Sequence, residues 1–378
     1  MIAIAGRATA EGTQRYKQRH NQNCAADYFR ETNSLVASSI GIGTYLGEPD
    51  ECTDILVTAA VIESVLLGAN LIDSAINYRY QHGELSVGKA IRQLVASGDV
   101  SRDELIICTK GEVLPCQNPN PADWFYRHYV EPNNFTVSMA DLAEERYCIH
   151  PEYIQDQLNK SLANLGIQTI DVYYIHNPEK QLSKVEPDIF YNQLRRVFEV
   201  MENAVLVGKI ASYGLATWNA FRVPPTQSDH IDLSRAKSIA REVAGNRDDH
   251  FRFIQFPLNM AMPEALLSPT QMLEGEQIST MEAADRLGIA AIASKSICQA
   301  QVVGQIPENI AFAFGDHLRT DCQRALQYTR SAPGLLSALV GMKTPKHIRE
   351  NLALAAIPQL ERANFQKLTH LIAQVLNR

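Results

Sequence analysis

Apolar and polar positions along this chain follow two periods that take turns. Short apolar runs rich in β-branched and aromatic residues lie near Leu35–Ile42, Asn70–Asp73, Leu105–Thr109, Ile170–Ile175, Ile210–Leu215, Phe251–Phe256, Ile289–Ala293 and Ser337–Val340. Amphipathic stretches fall between or after them: Thr53–Leu67, Glu84–Ala96, Glu152–Leu165, Ile189–Val207, Leu233–Val243, Thr280–Leu287, Cys322–Tyr328 and Pro345–Ala355. Strand-like runs alternating with helical stretches predict βα units and a parallel sheet. Eight such units predict a closed α/β barrel of the (β/α)8 TIM type rather than an open doubly wound sheet. Gly68, Gly166, Gly208 and Gly288 stand where a helix ends before the next strand, a place that calls for a left-handed residue. The active site of such a barrel lies at the opposite ends, where strands run into helices.

At 378 residues the chain exceeds the ~250 of a typical barrel, so the surplus has to be placed. Residues 1–33 lack clear periodicity and read as an N-terminal arm or cap, with 34–378 forming one barrel. A stretch near 358–378 reads as a C-terminal helix packed outside it. The largest surplus is an insertion at 111–151, after the third strand-like run. It carries Trp124, Phe125, Tyr126, Tyr129, Phe135 and Tyr147, and disordered linkers are poor in aromatics. We therefore expect an ordered flap over the barrel mouth, with a partner or oligomer surface as the alternative.

Composition narrows the class. Hydrophobic residues make up 46% and charged residues 20%, which excludes general disorder. The net charge of −7 and the lack of a basic stripe argue against a nucleic-acid partner. No run approaches the ~18 apolar residues of a membrane span, and Met1–Gly6 is too short an apolar run for a secretory signal. A cytoplasmic protein with no membrane partner is expected. The seven cysteines form no CxxC pair, so neither a metal site nor a disulfide framework is expected. Net charge says nothing of oligomeric state.

Chemistry-bearing residues gather at the strand ends. The second run ends in Asp73, with Tyr78 just beyond; the third ends in Thr109-Lys110-Gly111; the fourth ends in Tyr174-Ile175-His176. Singly, an Asp there is usually a helix cap, a Tyr packing, a Lys solvated, and a His hydrogen-bonded structure. Together they put four titratable groups on three adjacent ends that converge on one mouth.

The segments around these residues resemble the aldo-keto reductases. Gly68-Ala69-Asn70-Leu71-Ile72-Asp73-Ser74-Ala75 followed by Tyr78, Gly83-Glu84 and Gly88 is similar to that family's signature. So are Ile107-Cys108-Thr109-Lys110, Val172-Tyr173-Tyr174-Ile175-His176-Asn177-Pro178, Ile210-Ala211-Ser212-Tyr213-Gly214-Leu215 and Val340-Gly341-Met342-Lys343-Thr344-Pro345. The resemblance implies a catalytic tetrad of Asp73, Tyr78, Lys110 and His176, reducing an aldehyde or ketone to an alcohol. Tyr78 would be the general acid, with Lys110 lowering its pKa, Asp73 holding Lys110, and His176 orienting the small-molecule carbonyl substrate. The hydride would come from a nicotinamide cofactor. The family binds it without a glycine-rich fingerprint, and none occurs here.

The same resemblance implies cofactor contacts at Thr44, Thr217, Gln255, Gly341, Lys343, His347, Glu350 and Asn351. A cluster of Lys343, Lys346 and Arg349 points to NADP rather than NAD. Tyr45, Trp124, Trp218 and the C-terminal segment are expected around the substrate. Two positions depart from the family pattern. Ala216-Thr217 stands where Ser-Asn is usual, and Ser294 stands where an aromatic often stacks on the nicotinamide. These departures motivate an alternative, a nicotinamide-binding regulatory subunit of the same fold with little turnover.

Overall fold

Eight parallel strands close into a barrel in the computed structural model, which describes residues 2–376. Met1 of the expected arm and positions 377–378 of the expected C-terminal helix lie outside the described residues. In chain order the strands are β1 (Phe29–Thr32), β2 (Leu35–Ser38), β3 (Ile40–Gly43), β4 (Leu71–Asp73), β5 (Ile106–Gly111), β6 (Ile170–His176), β7 (Ile210–Ala216), β8 (Phe251–Pro257), β9 (Gln271–Leu273), β10 (Glu276–Ile278), β11 (Ala290–Ser294) and β12 (Leu335–Gly341). The barrel runs β3-β4-β5-β6-β7-β8-β11-β12 and back to β3, the predicted (β/α)8 architecture.

The first strand-like run needs correction. It breaks at Ser39: β2 pairs antiparallel with β1 outside the barrel, and only β3 enters it. Buried Asn70 makes the break. Its Oδ1 accepts from Ser38 N at 2.8 Å, and its Nδ2 donates to the Val36 carbonyl at 2.8 Å. Within residues 1–33, expected as an arm or cap without clear periodicity, Ala10–His20 forms a helix. Thr9 caps it, accepting from Gly12 N at 2.9 Å, and Arg15 and Arg19 both reach buried Glu104. Its buried face is Gly12, Thr13 and Tyr16, of which only Tyr16 is a large ring, too little to give an apolar rhythm in the sequence.

Strand side chains alternate between two cores. Leu71, Ile106, Cys108, Val172, Tyr174, Phe253 and Ile292 share one buried cluster with other inward-facing residues. Their sequence neighbours Ile72, Ile107, Tyr173, Ile175, Tyr213, Leu215, Ile254 and Phe256 join the large cluster that includes the surrounding helices. Each of the four helix-ending glycines has positive φ; at Gly166 (φ 65°) the amide closes the last turn by donating to Leu162 O at 2.9 Å. The C-terminal helix, Arg362–Leu376, packs outside the barrel, where Phe365 stacks on Tyr328 at 5.0 Å. Among the described residues no helix is long and apolar enough to cross a membrane, and no group of acidic, His and Cys residues is arranged to hold a metal ion.

Candidate active site

Period-two alternation aims Asp73, Lys110, His176 and Gln255 inward at the C-terminal ends of β4, β5, β6 and β8. Register sets their heights. Asp73 is level with Cys108, so Lys110 stands one inward step above it, and His176, Ala216 and Gln255 share one level. Tyr78 follows β4 on a turn tied to β5, where Ser74 N donates to Cys108 O at 2.9 Å and Ile76 N to Lys110 O at 3.1 Å.

Lys110 is fully buried. Its ammonium donates to Asp73 Oδ1 at 2.5 Å, to Ser74 O at 2.8 Å and to the Tyr78 hydroxyl at 3.3 Å. The second oxygen of Asp73 accepts from Gln255 Nε2 at 2.8 Å, a link the sequence reading missed. Thr44 donates to Asp73 O at 3.2 Å and lies 2.9 Å from Ser74 Oγ. The His176 ring lies 5.9 Å from the Tyr78 ring, and Tyr45 meets Tyr78 edge-on at 5.1 Å.

Burial and charge compete here. Burial pulls the Lys110 ammonium down, but the charges of Asp73 and Tyr78 and its hydrogen bonds to them leave it above its usual value. Burial, opposed only in part by Lys110, leaves the Tyr78 phenol above its ordinary value. Lys110 does pull the Tyr78 pKa down, as expected, but burial outweighs it, so Tyr78 stays a protonated acid at neutral pH. Burial, reinforced by the Lys110 charge, holds His176 well below its usual value, so its imidazole is neutral. Its Nδ1 is buried without a partner.

Above these groups opens a cavity of about 860 Å³. Its lining includes Thr44, Tyr45, Asp73, Tyr78, His176, Thr217, Trp218, Gln255, Gly341, Lys343, His347, Glu350 and Asn351, all singled out in the sequence. Lys110 lies behind Tyr78, outside the lining. Trp124 does not reach the cavity, a correction. It stacks on His128 at 4.4 Å and packs beside Tyr129. The body of the insertion lies on the helix Pro151–Leu165, through Phe125 and Tyr129 against Tyr153 and through Tyr129 to Asp156 at 2.6 Å. Only its ends, Val113, Arg146 and Tyr147, line the cavity.

The cationic cluster is also smaller than expected. Arg349 turns away to Glu63 at 2.9 Å, and Lys346 is not in the lining, which leaves Lys343. Among the described residues the C-terminal helix supplies no wall. A segment the sequence reading passed over does instead, with Lys295, Ile297, Gln299, Ala300, Val303 and Thr320–Cys322. The unbroken stretch between Ser294 and Cys322, too long for a simple barrel loop, was the available signal. No aromatic follows β11 at Ser294, but Trp218 lines the cavity with the Lys295 ammonium 4.9 Å from its ring.

The family model described as the aldo/keto reductase family matches residues 39–229. The chain belongs to that family. This aldo/keto reductase chain is 24% identical over 212 residues to the NADH-specific methylglyoxal reductase of Escherichia coli, covering 54% of this chain and 56% of that protein. It spans little more than half the length of that relative and of one from Arabidopsis thaliana. It is 23% identical over 351 residues to a putative voltage-gated potassium channel subunit beta of Schizosaccharomyces pombe, covering 86% of each. In fold it is similar to an aldo/keto reductase from Klebsiella pneumoniae solved with NADP and acetate, with a TM-score of 0.60, 19% identity, and coverage of 92% of this chain and 96% of that one.

Proposed function

We propose that this protein is an NADP-dependent oxidoreductase that reduces the carbonyl of a small aldehyde or ketone to an alcohol. The observation that carries the reading is the Asp73–Lys110–Tyr78 chain of contacts at the cavity floor, with neutral His176 beside it. The family match supports it, and so does the neighbour that holds NADP.

The cavity lining suits a dinucleotide. Thr217 Oγ1 and Asn351 Oδ1 are buried polar atoms without partners, and both residues line it. Such atoms call for a ligand, so the residues fit. Thr217 and the carbonyl oxygen of Gln255 would hold the carboxamide, Trp218 would cover the ring, and Lys343, His347 and Asn351 would hold the adenosine end. When bound, the nicotinamide supplies the hydride.

The remaining work belongs to the chain. Tyr78 delivers its proton to the carbonyl oxygen as negative charge develops there. Lys110 stabilises the phenolate left behind, and Asp73 keeps Lys110 charged and aimed. Gln255 fixes the other oxygen of Asp73. A neutral imidazole can donate one N–H, so His176 orients the substrate oxygen.

A regulatory, slowly turning subunit is the second reading, favoured by the non-polar Ala216 and by the extent of the match to the potassium channel subunit beta relative. Absorbance of NADPH and of NADH, followed with a panel of aldehydes and ketones, separates the two. Carbonyl-dependent oxidation of NADPH supports the reductase; tight binding without turnover across the panel supports the second reading.

A further inference from the structure

The cavity leaves one cation without a task, and resting on the reductase reading above, we propose that the substrate is a small aldehyde or ketone carrying a carboxylate, which Arg146 binds. Asp73 is matched by Lys110, and His176 is uncharged at neutral pH. Asp321 is paired with Arg324 at 2.9 Å, while Glu350 keeps its charge, accepting from Thr320 at 2.6 Å on the helix Pro345–Leu352 that follows Lys343. Three lining cations have no carboxylate partner among the described residues: Lys343, Lys295 and Arg146. Lys343 faces the adenosine end assigned above, and Lys295 sits over Trp218.

Arg146 comes from a different wall. It stands at the returning end of the insertion after β5, between the strands that carry Lys110 and His176. Its backbone is fixed: its carbonyl accepts from Leu114 N at 3.0 Å, its amide donates to Ala143 O at 3.0 Å, and Val113 bridges Tyr147 beside it. Its exposed guanidinium has no hydrogen-bond partner among the described residues, and nearby Glu144 is taken by Lys180 at 3.3 Å. In a chain with 42 acidic and 35 basic residues, an arginine left free at the cavity edge is available to a ligand. The planar guanidinium fork matches a carboxylate through two parallel N–H donations. With no second free cation on that wall among the described residues, a singly charged group is the better match than a phosphate dianion. The insertion would thus set specificity through charge at its end rather than through its aromatic body.

Succinic semialdehyde and butanal have the same chain length and differ by the carboxylate. The test is the ratio of their KM values in wild type, Arg146→Gln and Arg146→Lys, with kcat measured in parallel. Succinic semialdehyde should have the lower KM in wild type. Arg146→Gln should erase about tenfold of that preference through KM rather than kcat, and Arg146→Lys should restore part of it. Raised salt should shrink the wild-type preference. An equal ratio in wild type and Arg146→Gln overturns the proposal. Calorimetric titration of butanoate into the NADP-loaded protein keeps the two readings separable. If neither aldehyde is reduced, the reductase reading fails. The carboxylate site then stands if Arg146→Gln weakens butanoate binding about tenfold, and falls if the affinity is unchanged.

Discussion

Gln255 donates its side-chain amide to Oδ2 of Asp73 at 2.8 Å, across the barrel from β8 to β4. With Oδ1 on Lys110, both oxygens of a buried carboxylate are occupied. Gln255→Leu strips one partner from Asp73 and should destabilise the fold by about 1–3 kcal/mol. Chemical denaturation measures this, and kcat should fall with it as Asp73 loosens its hold on Lys110. A variant with wild-type stability and kcat would show that the contact does neither.

Lys110 and Asp73 should couple strongly. Lys110→Met leaves Asp73 buried and uncompensated, at a cost of about 3–5 kcal/mol. The double variant Asp73→Leu, Lys110→Met removes both charges and should recover part of that loss. A double-mutant cycle from denaturant midpoints gives the coupling; simple additivity would contradict an ion pair.

Glu179 should make stability depend on pH. Its Oε1 accepts from Trp218 N at 2.6 Å and Asn219 N at 3.2 Å, fixing the turn after β7, while Oε2 has no partner. Burial raises its pKa to about 7, and burial together with Glu179's own charge pushes neighbouring Glu112 well above the usual range. The folded form therefore holds protons that the unfolded chain releases near pH ~4.3. Stability from Glu179 is full below that value and is lost as pH rises through about 7. Wild type should lose stability relative to Glu179→Gln between roughly pH 5 and 8. Parallel pH profiles for the two proteins would contradict the assignment.

The two tryptophans should behave oppositely. Trp218→Ala should weaken NADPH binding, because Trp218 is the tryptophan that lines the cavity. Trp124→Ala should leave both cofactor affinity and KM near wild type while lowering stability, because its contacts lie within the insertion. Fluorescence titration with NADPH and thermal melts of both variants decide the matter.

How much of this was legible in the sequence depended on distance along the chain. The barrel strands repeat a local pattern, and Asp73, Lys110 and His176 each end a local run, so period and position sufficed. The link from Asp73 to Gln255 joins residues 182 positions apart and leaves no local trace. The break at Ser39 was hidden for the same reason, since the residue that forces it is Asn70. Ala10–His20 escaped because a helix buried through Gly12, Thr13 and Tyr16 carries little apolar rhythm. Trp124 misled because aromatic content reveals an ordered segment without revealing what it packs on. The wall at Lys295–Ala300 turns through positive φ at Lys295, Cys298, Gln299 and Ala300, residue types that give no sign of it.

Tyr78 is the proton donor in the proposed reduction. The most direct measurement is the rate of carbonyl-dependent NADPH oxidation by Tyr78→Phe beside wild type, with NADPH binding to each followed by fluorescence. The phenyl ring keeps the packing against Tyr45 and removes only the hydroxyl. A loss of about a hundredfold or more in kcat is expected, with NADPH binding retained. Turnover at the wild-type rate in Tyr78→Phe would contradict it.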